Sequence, residues 1–274
     1  MFSKEGKNVV TYFKLADYIV KIILYPSFDT TPVKYWIEKL RREYKSWIIP
    51  QSAPINAILE FVPDCFTIGS KNIDSNYIKL FEWRKSFTVR TYYFISHSQF
   101  IYILQILVNK MLSNDGVFLH ASANCLHANN CGIFLGKSTA GKSTVSDLLH
   151  PTFRKITDDT SAIRRMGGHN FLFQLPFDNR LAMPVFSGKL LKYEIRYIFI
   201  LKKSHNYKLI NMTDKTQILL NIMTSLWSDE KIYLKKLIPL LSVLLSECNS
   251  YILEFPINKN VLISGIKKDI INYL

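Results

Sequence analysis

Apolar positions along the first third of the chain follow two different periods. From Val9 to Tyr25 they alternate loosely, as strands do, around Leu15-Ala16-Asp17. Between Thr31 and Trp47 the period lengthens: Val33, Trp36, Ile37, Leu40 and Tyr44 recur at helical spacing, with Thr30 or Thr31 able to cap before Pro32 in the first turn. Ala57 to Val62, Cys65 to Ile68, Ile78 to Trp83 and Phe87 to Phe94 are rich in β-branched and aromatic residues, so they read as a strand cluster. The helical period returns from Ser98 to Leu112 and stops at Asn114-Asp115-Gly116.

Beyond this point apolar runs alternate with helical stretches. Val117 to His127 and Gly132 to Leu135 are separated by Ala128-Asn129-Asn130, which predicts a hairpin. Its second strand runs into Gly136 to Thr144, after which Val145, Leu148 and Leu149 open a helix. Strands are expected at Arg154 to Thr157, Tyr197 to Leu201 and Tyr251 to Phe255. Helices are expected from Lys215 to Trp227, around Pro239 as an interruption, and from Asn260 onward. No internal repeat or low-complexity linker separates these elements.

Composition narrows the class. With 274 residues, 48% of them apolar and 20% charged, the chain can bury a sizeable core, which excludes a disordered or collagen-like protein. No apolar run approaches the roughly 20 residues that cross a bilayer, so no membrane partner is expected. Lys4, Glu5 and Lys7 stand where a secretory peptide would enter its apolar region, and a cytoplasmic location is the expectation. Cys65, Cys125, Cys131 and Cys248 are scattered and read as reduced thiols. The net charge of +14 is spread evenly, +6 over residues 1–110 and +8 over residues 111–274. A nucleic-acid reader concentrates its charge on one stripe, so an acidic nucleotide or peptide is the better explanation.

The chemistry centres on Gly136-Lys137-Ser138-Thr139-Ala140-Gly141-Lys142-Ser143-Thr144. Gly136 to Ser143 matches G-x-x-x-x-G-K-[ST], a loop whose backbone N–H groups cradle phosphates between a strand and a helix. The glycines permit unusual φ values, Lys142 reaches the β and γ phosphates of ATP, and Ser143 can ligate Mg²⁺. Only the second GKST sets the register, because Lys137 would need a glycine where Cys131 stands. Asp158 and Asp159 follow a short strand, whose end an open α/β sheet brings to the phosphate edge. Neighbours in a strand point to opposite faces, so one carboxylate can act as base while the other serves the metal.

Leu119-His120-Ala121-Ser122-Ala123, the strand Gly132 to Leu135, the loop, and Ile156-Thr157-Asp158-Asp159 together resemble the carboxy-terminal kinase domain of HPr kinase/phosphorylase and its stand-alone relatives. That resemblance implies an α/β P-loop kinase domain of the HPr kinase/phosphoenolpyruvate carboxykinase type over residues 111–274, preceded by an α+β region over residues 1–110 suited to substrate recognition. It further implies Asp158 as general base with His120 as its partner, and Asp159 with Ser143 on the metal side. The implied function is an ATP- and Mg²⁺-dependent kinase acting on a hydroxyl, a serine first of all, of a peptide or protein. Stand-alone relatives occur with peptide-tailoring systems, including those of lasso peptides, which makes a ribosomally made precursor a candidate acceptor. The lysine and arginine excess would suit an acidic one, and assembly into a homo-oligomer is left open. Two departures stand out: the family loop usually has glycine where Thr139 stands, and Leu191-Lys192-Tyr193-Glu194-Ile195 lacks the signature tied to reverse phosphorolysis, so phosphorylase activity is not expected.

Other readings compete. His120, Cys125, His127 and Cys131 are potential soft ligands, but their spacing matches no usual zinc pattern. A nucleotide-sensing module without transfer and a small-molecule kinase are the functional alternatives. Met166 to Ser187, broken by Gly167-Gly168, Pro176 and Pro184, reads either as an acceptor platform or as a hairpin and loop.

Overall fold

The computed structural model describes residues 2–50, 54–63, 80–177, 192–227 and 234–271. These form two compact units, one of residues up to Met111 and one from Leu112 on.

The first unit contains β1 (Ser3–Glu5), β2 (Asn8–Leu15), β3 (Tyr18–Leu24), α1 (Thr31–Glu43), β4 (Ile48–Ile49), β5 (Ala57–Val62), β6 (Glu82–Lys85), β7 (Thr88–Tyr92) and α2 (His97–Leu112). Its seven-stranded sheet runs β1-β2-β3-β5-β7-β6, with β4 beside β2. Ala16 and Asp17, at φ of 51° and 64°, make the tight turn between β2 and β3. Trp36 of α1 is fully buried; its ring lies 4.8 Å from Phe61 and 5.1 Å from Phe100, and its Nε1 donates to the Tyr93 carbonyl at 2.8 Å. The helix stops at Glu43, short of Trp47, where a 3₁₀ turn from Lys45 to Trp47 takes over. Thr30 makes no side-chain cap; Asp29 instead accepts from the Thr31 amide at 2.8 Å. The strand expected at Cys65 to Ile68 lies outside the described residues.

The second unit contains β8 (Gly116–His120), β9 (Ser122–His127), β10 (Asn130–Leu135), α3 (Lys142–Leu149), β11 (Lys155–Thr157), β12 (Thr160–Met166), β13 (His169–Phe173), β14 (Lys192–Lys203), β15 (Lys208–Asn211), α4 (Lys215–Met223), α5 (Leu234–Glu247), β16 (Asn249–Phe255) and α6 (Lys259–Ile266). In its nine-stranded sheet β9 and β10 are antiparallel, while β10, β14 and β16 lie parallel in that order. Helices cover both faces. On one, Val145 and Leu149 of α3 and Leu262 and Ile266 of α6 pack with Phe134 and Phe199. On the other, Ile218 and Ile222 of α4 and Leu241 and Leu244 of α5 pack with Ile133 and Leu135. Burial on both faces explains why β10 reads as a continuous apolar run.

The apolar run Val117 to His127 is two strands, not one arm of a hairpin. β8 pairs with β12, whereas β9 pairs with β10 and β11. The chain swings between them at the fully buried Ala121, whose carbonyl accepts from Ser161 Oγ at 2.9 Å. Alternation is silent about such a break because Val117 to Leu119 before it and Ser122 to Asn124 after it are all buried. Pro239 lies inside α5 without ending it, and Met166 to Phe173 is a β12–β13 hairpin turned by Gly167 and Gly168. The remainder of the segment read as a platform falls largely outside the described residues.

Candidate active site

The phosphate loop joins β10 to α3. Gly141 is the N-cap of α3 at φ of 97°, and a Cβ there would come within 2.8 Å of Phe255 Cζ, so glycine is required on both counts. Thr139 also sits in the left-handed region, at φ of 70°. The backbone at this position therefore has the conformation that glycine favours, carried here by a β-branched residue. Lys142 folds back across the loop, its Nζ donating to the carbonyls of Gly136 at 3.0 Å and Lys137 at 3.4 Å.

Strand β9 holds the helix behind the loop. Ser122 Oγ donates to the Lys142 carbonyl at 2.8 Å. Asn124, fully buried, donates to the carbonyls of Ser146 (3.1 Å) and Phe153 (2.9 Å) and accepts from Ser146 Oγ at 2.6 Å. A buried amide with three partners fixes α3 against the sheet, and with it the direction of its first-turn N–H groups.

An open pocket of about 380 Å³ lies over the loop, lined by Ser138, Thr139, Gly141 to Thr144, Asp159 and Lys203. The two aspartates differ sharply in setting. Asp158 is buried, its Oδ1 2.6 Å from Lys155 Nζ; the same ammonium reaches Asp147 Oδ1 of α3 at 2.7 Å. Burial alone would depress the Lys155 pKa, but hydrogen bonds to Asp147 and Asp158 outweigh it and hold the lysine above its ordinary value. Asp159 is 70% exposed in its side chain and lines the pocket, with His120 Nδ1 3.9 Å from its Oδ2.

The structure thus gathers Ser138, Thr139, Gly141, Lys142, Ser143, Thr144 and Asp159 at one pocket, with His120 beside Asp159. The two aspartates named on resemblance are placed differently: Asp159 lines the pocket and stands at His120, while Asp158 is turned inward to Lys155. Both aspartates stand in the bend between β11 and β12 rather than in a strand, so the alternation expected of them does not apply; Asp158 is the one that Lys155 holds inward.

Lys203 is absent from the residues that the sequence points to. The strand expected to end at Leu201 runs on to Lys203, the end of a strand parallel to the loop's own, where an open α/β sheet presents its ligand-facing residues. The paired Lys202-Lys203 at that end is the available signal.

Cys131 is fully buried, and burial pushes the Cys131 and Cys125 thiols upward; Cys125 Sγ donates to the Ala128 carbonyl at 3.0 Å. Among the described residues no group of three or more histidines, cysteines or acids is placed to hold a metal ion. Nor is any described helix long and apolar enough to cross a membrane.

No known protein family matches the chain, and no curated protein matches it by sequence. Among solved structures it is similar to the HPr(Ser) kinase/phosphatase from Coxiella burnetii, at 12% identity and a TM-score of 0.32, over 57% of this chain and 92% of that one. The likeness is a distant structural one.

Proposed function

We propose that the chain is an ATP-dependent kinase that phosphorylates a serine or threonine hydroxyl of a peptide or protein, a ribosomally made precursor peptide being the foremost candidate. The observation that carries this reading is that Asp159, with His120 3.9 Å away, lines the same pocket as the loop lysine Lys142. Nucleotide binding could use this carboxylate through Mg²⁺ alone, whereas a histidine beside it suits a carboxylate that takes up a proton.

The loop amides and Lys142 bind the phosphates, Lys142 leaving its two loop carbonyls to do so. The glycine cradle and the hard oxygen donors Ser143 and Asp159 fit a polyphosphate with Mg²⁺. Ser143 would hold the ion, and the ion would neutralise charge on the phosphates. Asp159 takes the proton of the incoming hydroxyl, and His120 steadies its carboxylate. The acceptor oxygen bonds to the terminal phosphorus as the bond to the bridging oxygen breaks, and ADP departs. Such a transfer asks chiefly for positioning and charge stabilisation. Asp158, tied to Lys155, keeps the end of β11 in place.

The test is incubation with ATP and Mg²⁺ and the peptides and proteins encoded beside this chain in its source genome, read by mass spectrometry. A phosphoryl group on a serine or threonine, absent with Lys142→Met, is expected. Tight ATP binding with no acceptor modified, small molecules included, would make a nucleotide-sensing module the better account.

A further inference from the structure

Lys203 ends β14, which is parallel to the loop's strand β10 and paired with it through Leu135 and Ile200. The strand continues past that pair, there paired only with β16 through Lys203 and Phe255, so Lys203 stands beyond the end of β10, on the side where the loop turns into α3. Its stem lies close to the helix start: a Cβ placed on Gly141 would be 3.6 Å from Lys203 Cε. Lys202, on the opposite face of the strand, is engaged by Glu254 at 2.7 Å. Lys203 is exposed, lines the pocket, and among the described residues has no ion-pair partner.

Two ammonium groups and the N-terminus of α3 therefore border one pocket, against the single carboxylate of Asp159. Like charges gathered this way repel unless an anion of matching charge comes between them. A chain of two or three phosphates carries charge enough to be shared between two such cations and the helix start, which a single phosphate offers less of.

We propose that Lys203 is a second phosphate-holding cation, which makes this a site for a polyphosphate chain. This inference rests on the kinase reading above. Lys203 makes its contact with phosphate oxygens, so its contribution is independent of the nucleoside.

The experiment is calorimetric titration of the full chain with ATP and with inorganic tripolyphosphate, at low and moderate salt, for wild type, Lys203→Met and Lys202→Met. Loss of one charge-assisted contact at an exposed site should weaken both ligands about tenfold and flatten the salt dependence, with Lys202→Met binding as wild type does. Unchanged ATP affinity in Lys203→Met overturns the inference while leaving the kinase reading intact. Weakened ATP with undiminished tripolyphosphate overturns it as well, since Lys203 would then serve the nucleoside. If wild type binds neither ligand, the kinase reading falls and takes the inference with it.

Discussion

Asp158 and Lys155 form an ion pair of 2.6 Å whose side chains are only 6% and 5% exposed. Removing one partner of such a pair strands the other, at a cost of about 3 kcal/mol or more. Lys155→Met should therefore lower the urea unfolding midpoint markedly, while Asp147→Asn, at the exposed end of the same lysine, should lower it little. The pH dependence has a definite sign. The Lys155 pKa is raised in the folded state, so its stabilisation is complete below the unfolded value, about 10.4, and is lost only as the pH climbs through the folded one. The stability difference between wild type and Lys155→Met should be flat from neutral to mildly alkaline pH and shrink above that range.

Thr139 and Gly141 predict opposite outcomes from substitutions in one loop. Thr139, at φ of 70°, holds a β-branched side chain in the left-handed region, and Thr139→Gly should stabilise the protein by about 0.5 to 1 kcal/mol, net of the entropy glycine adds to the unfolded chain. Gly141→Ala should destabilise it by about 2 kcal/mol, combining a φ of 97° with the approach to Phe255. Thermal unfolding of the two variants against wild type checks both signs.

Asn124 and Ser146 act as one unit. Either change to alanine leaves buried polar groups without partners, and about 2 kcal/mol should be lost in each case. The double variant should lose clearly less than the sum of the two singles, because each already breaks the shared bond. Loosening α3 also turns its first-turn amides, so Asn124→Ala should bind ATP more weakly than wild type under conditions where it remains folded.

His97 gives the first unit a pH response on the acid side. Its Nε2 is 2.7 Å from Tyr44 Oη and 3.5 Å from Glu43 Oε2. Burial pushes its pKa down, Lys39 adds to this, and Glu43 only partly offsets them. A depressed folded pKa means that stability is present above the unfolded value near 6.5 and is lost as the pH falls through the folded one. Comparing chemical denaturation of wild type and His97→Gln between pH 8 and 5 should show wild type losing more stability on acidification, with His97 titrating below 6.5 by NMR.

Much of this is legible in the residues, for identifiable reasons. The loop is a local motif whose glycines and lysine are each required by backbone geometry, so Gly136 to Thr144 announces both its own shape and the flanking strand and helix. Helices with one apolar face, such as the stretch holding Trp36 and Leu40, are equally plain. The break at Ala121 is hidden because Val117 to Leu119 and Ser122 to Asn124 are buried without alternation, leaving nothing to mark a strand's end. The separate fates of Asp158 and Asp159 depend on Lys155, three residues before the buried one, and a sequence does not show which of two neighbours an inward-facing lysine will claim. Lys203 becomes visible only when β14 is laid beside β10, because it is far from Gly136 along the chain and the pairing of those two strands alone brings it to the loop's edge of the sheet.

Asp159, and not Asp158, is the carboxylate proposed to serve the transferring phosphoryl group. Single-turnover transfer from γ-labelled ATP to the acceptor that wild type modifies, repeated with Asp159→Asn and Asp158→Asn, separates the two. The expected result is a loss on the order of 10²-fold or more for Asp159→Asn with ATP binding intact, and a far smaller loss for Asp158→Asn together with reduced stability. Full transfer by Asp159→Asn, with abolition by a folded Asp158→Asn, would overturn this assignment.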